Sequence, residues 1–327
     1  MSLSIGLAQW RADHHWVDYL GRRLLRLVIS LVVLVTLTFS MLYLTPGDPV
    51  RAALGADVSE QVVAARRHQL GLDQPFLQQY LGYFGRLVQG DLGTSLINQI
   101  PVSDLLWQRF VESFKLGALA FVMVVVGSLA IGSAMAVLTK SGLRPRTERT
   151  FTLVTSAVDS IPGFLVAVGL VYVFSVTLGW LPVGGSSSGG AFILPVLALS
   201  LGAMMALSRI VRVEMIKVLR EEYMLTARSK RLSGPAIYFK HVFPNMLTAF
   251  LTLGGMALVG LVTGSVLIER VFAWPGMGTL VVESILAKDY PIAQATILLF
   301  GILVLVINLV VDVALALIDP RSTIREH

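Results

Sequence analysis

Uncharged apolar runs recur along the chain at Leu27 to Leu44, Leu116 to Leu138, Met246 to Ile268 and Ile292 to Val311. Each is long enough to cross a hydrocarbon layer of about 30 Å as a helix of roughly 20 residues. Between Ser160 and Ser208 no charged residue occurs, but Gly179-Trp180-Leu181-Pro182-Val183-Gly184-Gly185 and the Ser/Gly stretch after it interrupt the run with turn formers. This pattern predicts two further spans joined by a hairpin, the first beginning near Phe151 and the second running from Phe192 to about Arg212. Six spans place both termini on one side.

The connecting segments have their own periodicity. Residues from Thr45 to Lys115 alternate turn signals (Pro46-Gly47-Asp48-Pro49, Gly71, Gly90-Asp91-Leu92-Gly93) with helical spacing at Leu77, Leu81, Phe84 and Val88. Short amphipathic helices against the outer membrane face are expected there, either as a cap over the first span or as a docking surface for an external partner. From Arg209 to Asn245 helical spacing runs through Met215, Leu219, Tyr223, Thr226 and Ala227, Ser233-Gly234-Pro235 breaks it, and Pro244 marks the entry to the fifth span. Such a basic helix either lies on anionic headgroups or is a lever that a partner's groove grips. The expected organisation is a tail at 1–23, a first transmembrane helix at 24–44, a long outer loop at 45–115, a transmembrane core at 116–318 with the short inner helix near 221–233, and a tail at 319–327. The first 23 residues offer neither an apolar signal core nor a small-residue cleavage site, and read as a retained cytoplasmic tail.

Composition supports a bilayer as the solvent: 55% of the 327 residues are hydrophobic and 14% charged, with a mean hydropathy of +0.76. The net charge of +6 raises nucleic acid as a partner until its distribution is read. Of the 26 lysines and arginines, 18 fall on the side that holds the termini, and the two short loops opposite carry only Arg270 and Lys288. That bias places the termini in the cytoplasm and removes the case for nucleic acid. With no cysteine, no disulfide or thiolate site is available.

No Gly-Lys pair exists to build a phosphate loop, and no His-Glu-x-x-His to build a zinc protease. The chain therefore has no catalytic or cofactor-binding residues to nominate. Gly185-Ser186-Ser187-Ser188-Gly189 matches a nucleophile elbow in letters only, since it lacks the strand and helix that elbow requires. The histidines at 14, 15, 68, 241 and 327 include no i, i+4 pair within a span, so no metal site is nominated. Gly260 and Gly264 form a Gly-x-x-x-Gly that predicts close helix packing. Asp159, an acid within an apolar stretch, is a functional candidate by its position. It reads either as a proton-coupling group or as an acid satisfied by a neighbouring helix; with Pro162, Met204 and Met205 it marks a possible gate or pathway.

Several short motifs follow one another in order: Thr45-Pro46-Gly47-Asp48-Pro49, Gly71-Leu72-Asp73 with Gln79-Tyr80, Gly90-Asp91-Leu92-Gly93-Thr94-Ser95, Val271-Phe272-Ala273-Trp274-Pro275-Gly276-Met277-Gly278, Asp289-Tyr290-Pro291 and Asp319-Pro320-Arg321. From Arg22 to Arg321 the chain resembles the first-type permease subunit of binding-protein-dependent ABC importers of the oligopeptide, dipeptide and nickel family. The resemblance implies an all-α integral membrane protein of the bacterial cytoplasmic membrane, with six transmembrane helices, the type I importer permease fold and both termini cytoplasmic. It implies that Glu222, Tyr223, Thr226, Ala227, Arg228, Ser229, Lys230, Arg231 and Leu232 form the coupling motif that enters a cleft of the ATPase, which favours the lever reading. Arg231 stands where that family usually has glycine, which would shift the turn to Gly234. The implied partners are a second, related permease, two cytoplasmic ATPase subunits that carry ATP and magnesium, and an external solute-binding protein. The implied cargo is a di- or oligopeptide. Nickel or another small solute is the alternative within the family, and a proton-coupled secondary transporter the alternative outside it.

Overall fold

The computed structural model describes residues 15–44, 48, 50–51, 58–69, 71–230 and 233–318, and among these the regular structure is helical. In chain order the helices are α1 (His15–Leu44), α2 (Glu60–Gln69), α3 (Phe76–Val88), α4 (Val102–Thr139), α5 (Pro145–Asp159), α6 (Gly163–Leu170, continued as a π turn over Val171–Thr177), α7 (Ile193–Leu219), α8 (Glu222–Ser229), α9 (Gly234–Ile237), α10 (Phe243–Val271), α11 (Met277–Leu286) and α12 (Tyr290–Ile318). Among the described residues five helical stretches are long and apolar enough to cross a membrane, and α5 with α6 makes a sixth if that broken pair is one span.

Two expected boundaries move. Helix α1 starts at His15, inside the expected tail. Helix α4 starts at Val102, inside the expected loop, because its added turns stack Trp107 on Phe110 and Phe110 on Phe114 at helical spacing, with centroids 5.9 Å apart in each pair. The expected 116–318 core also divides. One compact unit comprises residues 1–103 and 284–327 and the other residues 104–283, so the last span belongs with the first.

In the first unit α1 and α12 pack together. Arg23, near the start of α1, pairs with Asp312, near the end of α12, at 2.7 Å, so the two helices run antiparallel and their terminal ends meet. Gly301 gives α12 its close approach: a β-carbon there would collide with the side chain of Leu34. Gln294 donates to the Thr38 carbonyl at 3.2 Å, satisfying a buried amide within the apolar contact. A second tie joins motifs far apart in sequence. Ser95 is 1% exposed and Asp289 2%; the Ser95 hydroxyl donates to one Asp289 oxygen and the Leu96 amide to the other at 3.1 Å. Gly90 and Gly93 take positive φ in the turn that presents Ser95, and the Asp289 carbonyl caps the first turn of α12 through the Ala293 amide.

In the second unit Leu116, Ala120 and Val124 recur every four residues on α4 and form a core with Val196, Met204 and Leu207 of α7. The close crossing of these helices occurs at Gly132, whose missing β-carbon would strike the Ser208 carbonyl and Val211. The Gly-x-x-x-Gly of α10 does not supply that approach within the chain: Gly260 faces open space and Gly264 reaches only ordinary contact with Leu199. The Ser/Gly hairpin between α6 and α7 is pinned instead of loose, since Gly185 donates to the Phe272 carbonyl at 2.8 Å and Gly184 leaves room for that oxygen.

Replacing Asp289 by Ala strands the Ser95 hydroxyl and the Leu96 amide in a dry site. The unfolding free energy of the detergent-purified chain is expected to drop by about 2–4 kcal/mol, measured as a lower thermal midpoint, with Asp289→Asn falling between. Gly132→Ala forces the α4–α7 crossing apart and is expected to cost about 1–3 kcal/mol, whereas Gly260→Ala leaves the midpoint of the isolated chain within about 0.5 kcal/mol or raises it. Equal midpoints for the two glycine variants would contradict the packing described.

Candidate coupling and permeation site

The short helix α8 lies at the end of α7, after Arg220 and Glu221. Among its described side chains, one anchors it. Met224 is 1% exposed and sits in a cluster with Met215, Val218 and Leu219 of α7 and Val242, Met246 and Phe250 from the entry and first turns of α10. The adjacent Tyr223 points the other way and is 42% exposed, with Glu222, Ser229 and Lys230 also exposed. A helix whose Met224 is buried against two long helices, with its aromatic residue presented outward, suits a handle better than a surface float. Partial burial, followed by the carboxylate of Glu221, pushes the Tyr223 phenol above its ordinary value, so it remains a neutral hydrogen-bond donor near pH 7.

Thr226, Ala227 and Arg228 lie within α8, and Arg231 and Leu232 lie outside the described residues. The turn expected at Gly234 is not made there: Gly234 has no positive φ and opens α9, with Pro235 behind it. Proline at an early helical position needs no amide hydrogen and presets φ, so Gly234-Pro235 starts a helix rather than ending one.

The expected third span is broken. Helix α5 and the α6 stretch meet at 91° across Ser160-Ile161-Pro162. Pro162 lacks an amide hydrogen and pushes Ile161 out of the helical region, while the Ser160 hydroxyl turns back to the Ser156 carbonyl at 2.8 Å. Asp159 therefore ends a helix instead of sitting within one. Its partner is Arg209 of α7, at 2.7 Å, with side-chain exposures of 37% and 26%. Three residues along, Arg212 is largely buried and holds Glu148 at 2.8 Å and the Thr139 hydroxyl at 2.9 Å. The two arginines, one turn apart on α7, clamp both ends of α5 across that helix. The Nη1 of Arg209 is enclosed and makes no hydrogen bond among the described residues. Met204 is buried against Gly127 between α4 and α7, and Met205 packs against the same cluster.

Sequence reasoning left out Glu269, which is fully buried near the end of α10. It accepts from the Ser113 hydroxyl at 2.6 Å, from the Gly278 amide at 2.7 Å and from the Thr279 amide at 3.4 Å. Ser113 in turn accepts from the Met277 amide at 2.7 Å, and the Trp274 indole donates to the Glu112 carbonyl at 3.2 Å. A side chain at Gly276 or Gly278 would displace the Glu269 carboxyl. The motif from Val271 to Gly278 thus folds as a sharp turn whose α11 amides are satisfied by a carboxyl rather than by water. Its signal in the sequence is an acid closing an apolar run.

Comparison with known proteins bears on the whole of this arrangement. Residues 128–324 match the family described as binding-protein-dependent transport system inner membrane component, and residues 16–117 match the N-terminal region described for the same kind of membrane component. The glutathione transport system permease protein GsiC of Salmonella paratyphi A (strain ATCC 9150 / SARB42) is 38% identical over 304 residues, covering 93% of this chain and 98% of that protein. The protein of the same description from Escherichia coli (strain K12) has the same identity and coverage. A solved structure of the MetNI methionine ABC transporter in an inward facing conformation superposes with a TM-score of 0.57 at 19% identity, covering 66% of this chain and 96% of that one, and so shares the fold. The chain, a multi-pass protein of the bacterial inner membrane, belongs to the binding-protein-dependent transport system inner membrane components, the permease subunits of ABC importers.

Proposed function

We propose that this chain forms half of the translocation pathway of an ATP-driven importer of di- and oligopeptides, paired with a second, related permease. Two cytoplasmic ATPase subunits would bind ATP and magnesium, and an external solute-binding protein would deliver cargo. Both termini face the cytoplasm in this reading, in line with the bias of basic residues. The segment between α1 and α4 then faces outward, with Leu77, Leu81 and Val88 of α3, all exposed, laid against the membrane surface. The observation that carries the reading is the docking of α8 through Met224 with Tyr223 turned outward. A groove of the ATPase that grips residues 222–232 would move α7 and α10 as one body.

The glutathione permease relatives support a short peptide as the cargo class. The pairing of Asp159 with Arg209 supports a gating role over proton coupling, because an arginine does not release its proton and so cannot pass one on. Charged groups exposed from a membrane helix must meet a water-filled path or another protein chain, not lipid. In this reading the Asp159–Arg209 pair lies on the pathway, Pro162 is the hinge beside it, and Met204 and Met205 hold the α7 segment that carries Arg209.

The test is purification of the tagged full-length chain in mild detergent with identification of co-purifying proteins, followed by ATPase and uptake assays of the reconstituted complex. Recovery of a second permease and of ATPase subunits is expected. Tyr223→Ala should keep the thermal midpoint and lower ATP-driven uptake by about tenfold or more, as loss of an aromatic anchor at an interface does. Met224→Asp should release α8 and abolish coupling, while Met224→Leu, which keeps the volume, stays near wild type. A single-chain particle, or full uptake by Tyr223→Ala and Met224→Asp, would refute the reading.

A further inference from the structure

Within the first unit, α3 borders a cleft of about 460 Å³, within the size range of small-ligand sites. Helix α3 presents Gln78, Gly82 and Arg86 to it at i, i+4 and i+8, a single face of the helix. No hydrogen bond or ion pair engages the guanidinium of Arg86 or the carboxamides of Gln74 and Gln78 among the described residues. The acid on the rim, Asp91, is already used: its Oδ1 accepts from the Gly93 amide at 2.8 Å. Leu72 and Leu92 supply partly buried apolar surface on the other walls.

Gly82 is the informative residue. A glycine within a helix costs about 1 kcal/mol relative to alanine, and here no neighbour demands it, since a β-carbon at Gly82 would meet nothing within 4 Å. It would project into the cleft. The glycine therefore serves no packing contact of the described chain, and its effect is to keep the middle of the cleft open between an amide at one end and a cation at the other. From Gln78 to Arg86 the helix rises about 12 Å, the span of an extended tripeptide at about 3.5 Å per residue.

We infer that this cleft is a binding site for a short peptide with a free carboxylate, in which Arg86 takes the carboxylate, Gln78 and Gln74 pair with peptide groups, and Gly82 makes room for the backbone. Arginine meets a carboxylate with two parallel donors, and a carboxamide offers the donor and acceptor that a peptide group needs. The site rests on the peptide reading of the cargo and on the outward placement of this segment. It gives the permease its own capacity to hold cargo on that side, separate from any delivered by a binding protein.

The experiment is saturation-transfer NMR of tri-alanine with the purified full-length chain in lipid nanodiscs, together with whatever subunits it retains and without a binding protein. Tri-alanine should show saturation transfer with wild type and none with Gly82→Trp, whose β-carbon meets no neighbour and whose ring enters the cleft. Arg86→Gln should weaken tri-alanine by on the order of tenfold to a hundredfold, as loss of a charge-assisted pair does. C-terminally amidated tri-alanine should bind wild type only as weakly as tri-alanine binds Arg86→Gln, a readout that a folding defect cannot mimic. No binding to wild type at millimolar peptide, or binding unchanged in both variants, overturns the inference. ATP-driven uptake of the wild-type complex separates the two readings: uptake without cleft binding removes this site alone, whereas failure to recover ATPase subunits removes the importer reading on which it rests.

Discussion

The buried carboxyl of Glu269 holds the second unit at the point where a long membrane helix must end and another begin. A turn in apolar surroundings cannot leave amides to water, because there is none, and each unpaired amide costs several kcal/mol. Glu269 takes the Ser113 hydroxyl, 156 residues away, and the first amides of α11, nine and ten residues away, on one carboxyl. The glycines at 276 and 278 exist to admit that carboxyl, and the Trp274 indole closes the same turn onto α4. The Ser95–Asp289 tie does the corresponding work in the first unit. In both places a loop motif and the start of a helix are joined by a side-chain carboxyl, and the apolar packing around it keeps that bond dry.

The arginines of α7 follow the same rule with charge instead of amides. Arg212 is satisfied on two sides by Glu148 and Thr139, a buried cation that cannot be left alone without a heavy penalty. Arg209 is less completely satisfied, with one fork on Asp159 and an enclosed Nη1 unpaired. The difference between these neighbours, a turn apart, distinguishes a structural clamp from a pair that an altered arrangement of α5 could release. Helix α5 crosses α7 and is joined to α6 through a proline break, so no continuous helix runs through Pro162.

The handle α8 joins these interior contacts to the exposed surface. Its anchor, Met224, enters the cluster formed by the end of α7, the helix that carries Arg209, and the entry to α10, the helix that carries Glu269. The unbranched thioether suits an irregular socket built from two helices. This arrangement relates the exposed aromatic to both polar nodes through packed side chains of one unit.

The sequence by itself determined the membrane character, the long apolar spans, the hairpin between α6 and α7, the amphipathic α3 and the family. Each of these follows from local composition or spacing, which a linear reading measures directly: an apolar run of 20 residues has few other fates, and Gly-Trp-Leu-Pro-Val-Gly-Gly cannot continue a helix. Tertiary structure decided the pairings. Asp159 reads as a lone acid until α7 brings Arg209 to it across 50 residues; Glu269 reads as the polar end of a span until Ser113 and Gly278 enclose it. Gly260 and Gly264 satisfy a packing motif in letters, yet the close crossing falls at Gly132, because which face of a helix meets which neighbour depends on the whole bundle. The break at Pro162 was legible as a proline, but its 91° consequence required knowing that α7 would hold α5 crosswise by two ion pairs. Partnership of charges in a low-dielectric interior is a property of distance in space, and distance along the chain does not encode it.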